Sequence, residues 1–360
     1  MKSKRSTISK HTVFSYKKES ISIALSLIFI TTIFAQPDFR KLSKNNVIVH
    51  DPVMVQENGN YYMFNTGKGI SMWKSENMTA WEKYPPVFKT APDWTVQAVP
   101  DFKNHIWAPD IICYNNQFYL YYSVSSFGKN TSCIGLVTNK TLDTSSIDYK
   151  WVDQGKIIQS VPGRDEWNAI DPNLIFDEEG QPWLSFGSFW NGIKLVKLNP
   201  DLKSVAQPEE WYTIAKRQRD FNIDVRNPGD GAIEAPFIFK KNGFYYLFVS
   251  FDYCCRGLNS NYKIMAGRST TVQGPYVDKD SIRMDKGGGS LVVSGDEKYS
   301  GVGHNSVYTF NNKDYMVFHA YDIEKHGIST LMIIPVTWDG ELWPIINLTD
   351  RKDITKITQK

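Results

Sequence analysis

The sequence has little cysteine for its length and almost no net charge. Four cysteines in 360 residues are too few for a disulfide framework. The sequence has no CxxC pair and no histidine near the cysteines, which argues against a zinc site. The 41 Lys and Arg residues against 38 Asp and Glu residues leave a formal net charge of +3, too weak for a nucleic-acid-binding protein. No GxGxxG motif joins a strand to a helix, so we expect no organic cofactor.

Two of the cysteines, Cys254 and Cys255, are adjacent and follow an aromatic segment. We expect them to be half-buried thiols at the end of a strand, with a vicinal disulfide as the alternative. The other two are Cys113 and Cys133, and four cysteines allow three pairings that the sequence does not distinguish.

Long apolar runs are absent except for one near the N-terminus. Residues 21–34 (ISIALSLIFITTIF) follow a basic, polar segment and end at Ala35. As a helix this run would span about 21 Å, short of the roughly 30 Å hydrocarbon core. We therefore predict a signal peptide over residues 1–35, cleaved after Ala35, rather than a permanent anchor. The mature chain, residues 36–360, would be secreted or periplasmic and would not contact a membrane.

A repeated pattern is present in the rest of the chain. Each copy has a polar residue beside proline or asparagine, an alternating strand, a tight turn and an aromatic strand, which together predict a hairpin. The copies are DPVMVQENGNYYMFNTG from Asp51, APDIICYNNQFYLYYSVS from Ala108, DPNLIFDEEGQPWLSFGSF from Asp171, EAPFIFKKNGFYYLFVSF from Glu234 and HNSVYTFNNKDYMVFHAY from His304.

Five such units, each with further strand-like segments and almost no helix signal, predict an all-β fold, a five-bladed β-propeller forming one catalytic domain over residues 36–360. A β-sandwich or two separate β domains would not require a five-fold recurrence.

The repeat also predicts a site, because the first strand of each propeller blade lies nearest the axis. Ionisable residues occupy the start of that strand in every copy: Asp51, Asp110, Asp171, Glu234 and His304. Gathering carboxylates is unfavourable for stability, so their convergence indicates function. Opposed carboxylates among aromatic side chains are typical of glycoside hydrolysis.

Aromatic residues make up 14% of the chain, and several adjoin the predicted funnel, where a sugar ring could stack on them. These are Trp94, Trp107, Phe127, Phe189 and Trp190. We expect Trp151, Trp183 and Trp343 to pack between blades instead.

A series of motifs between residues 47 and 346 resembles one known family. They are HDPVMV, NHIWAPDI, YYSVSSFGKNTS, NAIDPN, FGSFWNGI, EAPFIF, SFDYCCRG, GRS, GPY, GGG and GHNSV. In this order they resemble the endo-α-1,5-L-arabinanases of glycoside hydrolase family 43. NAIDPN followed by FGSFWNGI and the Cys-Cys pair is the most specific part of the resemblance.

The resemblance implies an inverting hydrolase of internal arabinan linkages. Asp51 would be the general base, Glu234 the general acid, and Asp171 the third carboxylate, which orients the acid and raises its pKa. Arabinan or arabino-oligosaccharides would be the binding partner; the sequence makes no prediction of oligomeric state.

The resemblance also implies substrate contacts and a metal. The contacts fall on Asn168, Ala169, Ile170, Ser188, Phe189, Trp190, Trp107, Gly128 and Asn130. A calcium ion on the propeller axis would have His304 in its shell, with oxygen ligands and waters completing it. His319 and His326 match no motif and are interpreted as structural.

Two alternatives stay open at this point. Residues 208–230 form an insertion-like, charged segment near Glu234; if it closes the cleft, the enzyme would be an exo-acting α-L-arabinofuranosidase or a β-xylosidase of the same family. A non-catalytic carbohydrate-binding propeller is the second alternative, but it would not need three matched acids.

Overall fold

The computed structural model describes residues 46–220 and 228–357, and the signal peptide predicted over residues 1–35 lies outside these ranges. Within them the regular secondary structure is almost entirely β-strand. Its strands, in chain order, are β1 (Val53–Glu57), β2 (Asn60–Asn65), β3 (Gly67–Lys68), β4 (Ser71–Ser75), β5 (Ala80–Tyr84), β6 (His105–Tyr114), β7 (Gln117–Val124), β8 (Ser132–Asn139), β9 (Val152–Ser160), β10 (Asn173–Phe176), β11 (Pro182–Phe186), β12 (Ile193–Lys197), β13 (Trp211–Ala215), β14 (Ile233–Lys241), β15 (Phe244–Phe251), β16 (Lys263–Ser269), β17 (Ser290–Ser294), β18 (Tyr299–Phe310), β19 (Lys313–Asp322), β20 (Ile328–Pro335), β21 (Thr337–Trp338), β22 (Pro344–Ile345) and β23 (Thr355–Ile357).

Helical structure in the described residues is limited to four short segments. They are one α-helix, α1 (Trp94–Ala98), and the 3₁₀ turns Gly257–Asn259, Met284–Lys286 and Leu348–Asp350. No helix in these ranges is both long and apolar enough to cross a bilayer.

The strands form five antiparallel blades, so the predicted five-bladed propeller is confirmed. Blade 1 is β1-β2-β4-β5, blade 2 is β6-β7-β8-β9, blade 3 is β10-β11-β12-β13, blade 4 is β14-β15-β16-β17, and blade 5 is β18-β19-β20. All five hairpins predicted from the repeat are the first two strands of a blade. The innermost strands contact one another around the axis.

The core consists of apolar layers between neighbouring blades. In blades 1 and 2, for example, Phe64 packs in one cluster with Ile106 and Leu120, and all three are fully buried. Each such side chain contributes about 1.5–3 kcal/mol on leaving water. These layers explain the alternating pattern of the strands, since every second residue faces a neighbouring sheet.

The two ends of the described chain join blades 5 and 1. Near the start, Leu331 of β20 donates its backbone N–H to the carbonyl of Val47 at 3.3 Å. Near the end, β23 pairs in parallel with β5 of blade 1, and the N–H of Lys352 bonds to the carbonyl of Ile333 in blade 5.

A kink recurs where each innermost strand begins. One residue in every blade has a left-handed backbone: Asp51 (φ 55°), Ala108 (39°), Asp171 (59°), Ala235 (57°) and His304 (52°). Strand pairing is interrupted at this point in blades 2, 4 and 5. L-residues adopt this conformation only where the surroundings enforce it.

What enforces it is a closed ring of five hydrogen bonds, which we call the axial ring. The N–H of each kinked residue donates to a side chain of the preceding blade. The five bonds are Ala108 to Thr66 Oγ1 (2.8 Å), Asp171 to Ser123 Oγ (2.9 Å), Ala235 to Asp171 Oδ2 (3.1 Å), His304 to Ser250 Oγ (2.8 Å) and Asp51 to His319 Nδ1 (3.2 Å).

The kinks correct one part of the predicted site. Asp110 lies two residues beyond the kink of its blade, at Ala108, so it is not equivalent to Asp51. Its buried carboxylate accepts the N–H of Leu174 at 2.8 Å and the amide of Asn173 at 3.3 Å. Asp110 therefore joins the innermost strands of blades 2 and 3 and does not belong to the cluster of Asp51, Asp171, Glu234 and His304.

The prediction of free thiols at Cys254 and Cys255 is also wrong, because the two sulfur atoms form a disulfide. In a strand, adjacent side chains point to opposite faces. Here β15 has ended at Phe251, and Asp252 and Cys255 have left-handed backbones (φ 67° and 62°), which allows both sulfur atoms to reach the same side.

Candidate active site

Four ionisable side chains interact at the axial end of the innermost strands. Asp51, Asp171 and His304 lie at kinks, and Glu234 immediately precedes the kink at Ala235. Asp171 is buried, and the other three are partly buried. The structure therefore brings together the three carboxylates predicted to be catalytic and the histidine predicted to bind metal.

Asp51 and His304 form an ion pair. His304 Nδ1 lies 3.0 Å from Asp51 Oδ1, and the hydroxyl of Thr66 donates to Asp51 Oδ2. Burial opposes the charge of both groups, but the interaction with His304 outweighs it and holds the pKa of Asp51 well below its ordinary value. Burial is likewise outweighed at His304, whose pKa the surrounding carboxylates, chiefly Asp51, raise to about 9. Asp51 is thus an ionised carboxylate with two donors.

The pKa of Glu234 is shifted in the opposite direction to that of Asp51. Burial raises its pKa, and the nearby charge of Asp51 raises it further. Two hydroxyls fix its oxygens: Tyr262 Oη is 2.7 Å from Oε1, and Ser188 Oγ is 2.9 Å from Oε2. These bonds and His304 oppose the rise without reversing it. Glu234 is a carboxyl group held in place and disposed to keep its proton.

Asp171 is coupled to Glu234. Burial, with the charges of Glu234 and Asp51 adding to it, raises the pKa of Asp171 to about 8. Each carboxyl makes ionisation of the other less favourable, so the pair resists losing its last proton. Through its axial-ring bond to the N–H of Ala235, Asp171 also holds the peptide that follows Glu234.

Blade 3 differs from the others at the ring position. Thr66, Ser123, Ser250 and His319 each lie opposite the residue before a kink, but Gly187 occupies this place in blade 3 and has no side chain to accept a hydrogen bond. The Asp171 carboxylate accepts the N–H of Ala235 instead. This explains why an acid is held against Glu234 at this one junction.

The predicted substrate contacts Asn168, Ala169 and Ile170 form the segment that leads into Asp171. All three are buried; the N–H of Ala169 bonds to Ser160 Oγ at 3.0 Å, and Asn168 Oδ1 has no hydrogen-bond partner. Asn130 is buried too, and its amide donates to the carbonyls of Asp165 (2.9 Å) and Trp167 (3.2 Å). Asn130 therefore supports this segment from behind.

The other predicted contacts differ in exposure. Ser188 bonds to Glu234, Phe189 is partly exposed beside Tyr253 (ring centroids 6.0 Å apart), and Trp190 is buried. Trp107 is partly buried on β6, and Gly128 lies in an exposed loop.

Among the aromatic residues proposed for stacking, Phe127 is 82% exposed. Trp94 is not at the axis: its indole N–H bonds to Asp153 Oδ2 on β9, the outermost strand of blade 2, at 3.1 Å. Trp151 packs against Phe64 of blade 1 and Trp183 packs in one cluster with residues of blade 4, both between blades as predicted, and Trp343 contacts Tyr246 of blade 4.

Sequence reasoning missed three residues of this site: Thr66, Tyr262 and His319. Thr66 and His319 could have been found from the repeat, because they lie opposite the residue before a kink in blades 1 and 5. Tyr262 precedes β16, outside the aligned hairpins, and no sequence signal identifies it.

Side chains of the described residues do not form a metal site by themselves. Within residues 46–220 and 228–357, no three His, Cys, Asp or Glu side chains are arranged to hold an ion. Next to His304, however, the buried Asn305 amide has no partner for either Oδ1 or Nδ2. Buried polar atoms of this kind are normally satisfied by water or an ion. The donor set fits a largely hydrated cation.

Carboxyl groups whose pKa values are shifted in opposite directions, at the axis of a β-propeller, are typical of one class of protein, the glycoside hydrolases. The comparison with known families agrees. The model of "Glycosyl hydrolases family 43" matches residues 45–344, and the chain belongs to this family.

Three individual proteins are similar over nearly their whole length. An extracellular exo-α-(1→5)-L-arabinofuranosidase of Cellvibrio japonicus is 50% identical over 84% of this chain and 87% of its own. An extracellular endo-α-(1→5)-L-arabinanase of Bacillus subtilis is 41% identical over 90% and 95%. The structure of a Cellvibrio cellulosa α-L-arabinanase complexed with arabinohexaose has a TM-score of 0.84 and 49% identity, covering 85% of this chain and 97% of that one.

Proposed function

We propose that the chain hydrolyses α-1,5-linked L-arabinan with inversion of configuration. The observation that supports this most directly is the electrostatic contrast at the axis, where the pKa of Asp51 is lowered and the pKa of Glu234 is raised. The relatives named for activity on α-(1→5)-L-arabinose linkages and the arabinohexaose complex of a similar structure supply the substrate class.

In this mechanism Asp51 accepts a proton from the attacking water, which adds to the anomeric carbon on the face opposite the leaving group. His304 and Thr66 hold the Asp51 carboxylate and leave its remaining lone pairs for the water. Glu234 gives its proton to the departing glycosidic oxygen.

Asp171 would position the acid and keep it protonated. Its bond to the N–H of Ala235 fixes the backbone beside Glu234, and repulsion between the two carboxylates would oppose loss of the last proton from the pair. Phe189, with Tyr253 beside it, would offer an apolar face to the sugar ring.

Product analysis tests this proposal. Linear arabinan is incubated with the mature chain, and the first product is observed by ¹H NMR before its anomers equilibrate. An inverting enzyme acting on α-linkages releases the β-anomer first; initial release of the α-anomer would contradict the mechanism.

The predicted mode of attack is internal, as in the B. subtilis relative. Release from a chain end is the second candidate, since the 50% identical Cellvibrio protein is named an exo-enzyme. The charged segment of residues 208–230 includes β13, the last strand of blade 3; just after β13, Arg217 is anchored by Asp252 Oδ1 (2.6 Å) and the carbonyl of Ala232 (3.1 Å). Mixed oligosaccharides at early times would support internal attack, and a single short product would support the exo mode.

We further propose one calcium ion at His304. The ion would displace the proton from His304 Nε2, and this nitrogen and waters would hold it, with Asn305 bonding to those waters; the charge of the ion would replace that of the imidazolium beside the axial carboxylates. Terbium luminescence and thermal melting of EDTA-treated protein test this: calcium should compete for terbium and raise Tm, and H304A should abolish both effects. An unchanged Tm and no competition would refute it.

The names of both relatives describe extracellular proteins, and this chain has a predicted signal peptide over residues 1–35. We therefore propose that the enzyme is secreted. Mass spectrometry of protein recovered from the culture medium should give an N-terminus at Gln36.

A further inference from the structure

A chain of buried polar groups connects the backbone of Asp51 to the loop that carries the disulfide. Asp51 N–H bonds to His319 Nδ1 at 3.2 Å, and His319 Nε2 lies 3.3 Å from Tyr321 Oη. Tyr321 Oη also lies 3.1 Å from His50 Nε2 and accepts the N–H of Cys255 at 2.7 Å. His319 and Tyr321 are essentially inaccessible to solvent.

The direction of every hydrogen bond follows from the first. Since Asp51 N–H donates to His319 Nδ1, that nitrogen carries no proton, and the proton of the neutral ring must be on Nε2. Burial, with the nearby His50 and His304 adding to it, lowers the pKa of His319, so the ring is neutral.

The remaining protons are then assigned in turn. His319 Nε2–H donates to Tyr321 Oη, which already accepts the N–H of Cys255, so the Tyr321 hydroxyl donates to His50 Nε2. The proton of a neutral His50 is therefore on Nδ1, which faces Ser329 Oγ at 3.4 Å. His319 and His50 have opposite tautomers.

His319 is the axial-ring acceptor in blade 5, and it differs from a hydroxyl acceptor such as Thr66 in what it donates. Thr66 accepts the N–H of Ala108 and donates its own proton to Asp51. His319 Nδ1 is 3.8 Å from Asp51 Oδ1, so a hydroxyl there could also donate to the carboxylate and weaken it as a base. A neutral imidazole with its proton on the far nitrogen accepts the N–H of Asp51 without adding a donor.

We propose that His319, Tyr321 and His50 form a positioning relay that holds Asp51 in its left-handed backbone conformation and adds no proton donor to its carboxylate. The Cys254–Cys255 loop completes the relay through the N–H of Cys255. This inference rests on the proposed role of Asp51 as the general base. None of the three residues touches the reacting atoms; each acts through Asp51.

The first test removes one hydroxyl. Y321F should lower kcat on linear arabino-oligosaccharides about tenfold and change KM less than about twofold, because it disturbs Asp51 and leaves the sugar-binding surface intact. Y276F is the matched control: Tyr276 is equally buried, and its hydroxyl bonds to the carbonyl of Val272 at 2.7 Å in blade 4. Wild-type kcat in Y321F, or equal losses in both variants, would overturn the relay.

A pair of substitutions at His319 distinguishes its hydrogen bond with Asp51 from its hydrogen bond with Tyr321. In H319N the amide oxygen takes the place of Nδ1 and can still accept the N–H of Asp51, whereas in H319Q the amide reaches toward Tyr321 and leaves that N–H without a partner. With comparable Tm values, H319N should retain the higher kcat. The reverse order would contradict positioning of Asp51.

A spectroscopic measurement does not depend on activity. Long-range ¹H–¹⁵N spectra of the histidine-labelled full chain, assigned with H319N and H50N, should show His319 protonated on Nε2 and His50 on Nδ1. A charged His319, or one protonated on Nδ1, would refute the relay. If D51N kept its turnover while the tautomers were as stated, the base assignment would fail instead, which separates the two hypotheses.

Discussion

The junction between blades 2 and 3 and the junction between blades 3 and 4 each contain a buried aspartate with a raised pKa. Asp110 accepts the N–H of Leu174, and Asp171 accepts that of Ala235. Burial is the first cause in both, raising the pKa to about 7 in Asp110 and about 8 in Asp171. The difference is the neighbour: Asp171 interacts with the carboxyl of Glu234, whereas Asp110 faces the edge of blade 3.

This comparison shows that burial of a carboxylate does not identify a catalytic group. A buried acid can serve only to satisfy a strand edge, as the side chains of Asn173 and Tyr308 also do at other junctions. Catalysis requires a second ionisable group whose charge differs because of its surroundings. Substitutions in the site and at the two junctions test this distinction.

Removing the base or the acid should have the largest effect. D51N and E234Q should each lower kcat/KM on linear arabinan by roughly 10² to 10⁴-fold, because each removes one proton transfer. Circular dichroism should show folded protein in both cases. Near-wild-type turnover in either variant would contradict the assignment of that residue.

The two aspartates should then behave differently. D171N should lower kcat about 100-fold, whereas D110N should leave it unchanged, although both variants keep an oxygen for the backbone N–H that they accept. In D171N the repulsion between the two carboxyls is lost, so the pair no longer resists loss of its last proton and the basic limb of the pH–rate profile should move to lower pH. A parallel loss of activity in D110N would remove the distinction between the junctions.

The stability of the fold should also require that residue 187 has no side chain. Its backbone has φ 133°, and a Cβ would lie 2.7 Å from the carbonyl oxygen of Gly192. G187A should therefore lower the free energy of unfolding by about 1–3 kcal/mol in chemical denaturation. G340A is the control, because a Cβ there meets nothing within 4 Å. Equal stability of the two variants would show that blade 3 tolerates a side chain at the ring position.

The smallest expected effect is a pH dependence of stability that comes from the ionisation of Asp110. Asp110 ionises near its ordinary value of 3.8 when unfolded but at about 7 when folded, so the folded state keeps a proton that the unfolded state has lost. Its contribution to stability is complete below about pH 4 and is lost as the pH rises to 7.

D110N removes this dependence. The Tm of D110N relative to wild type should rise by roughly 2–4 °C between pH 4 and 7, measured by differential scanning calorimetry. A constant difference across that range would mean that Asp110 ionises normally in the folded protein.

Much of the architecture could be predicted from the sequence because the hairpin signals are local. Turns such as Glu57-Asn58-Gly59 and alternating aromatic strands define each hairpin, and five copies define the propeller. Asp51, Asp171 and Glu234 could be predicted because their distance along the chain matches the repeat. Asp110 was misplaced because it lies two residues after Ala108, which is both the start of the second copy and the kinked residue of blade 2.

The amino-acid sequence by itself thus determined the number of blades and the three acids, since both depend on periodicity and residue type. Tertiary structure alone decided in which direction the pKa of each acid is shifted and which carboxylate only satisfies a strand edge. Those properties depend on burial and on hydrogen bonds between blades, such as the one between Asp51 and His319, which are 268 residues apart in the chain, and no local pattern encodes such contacts.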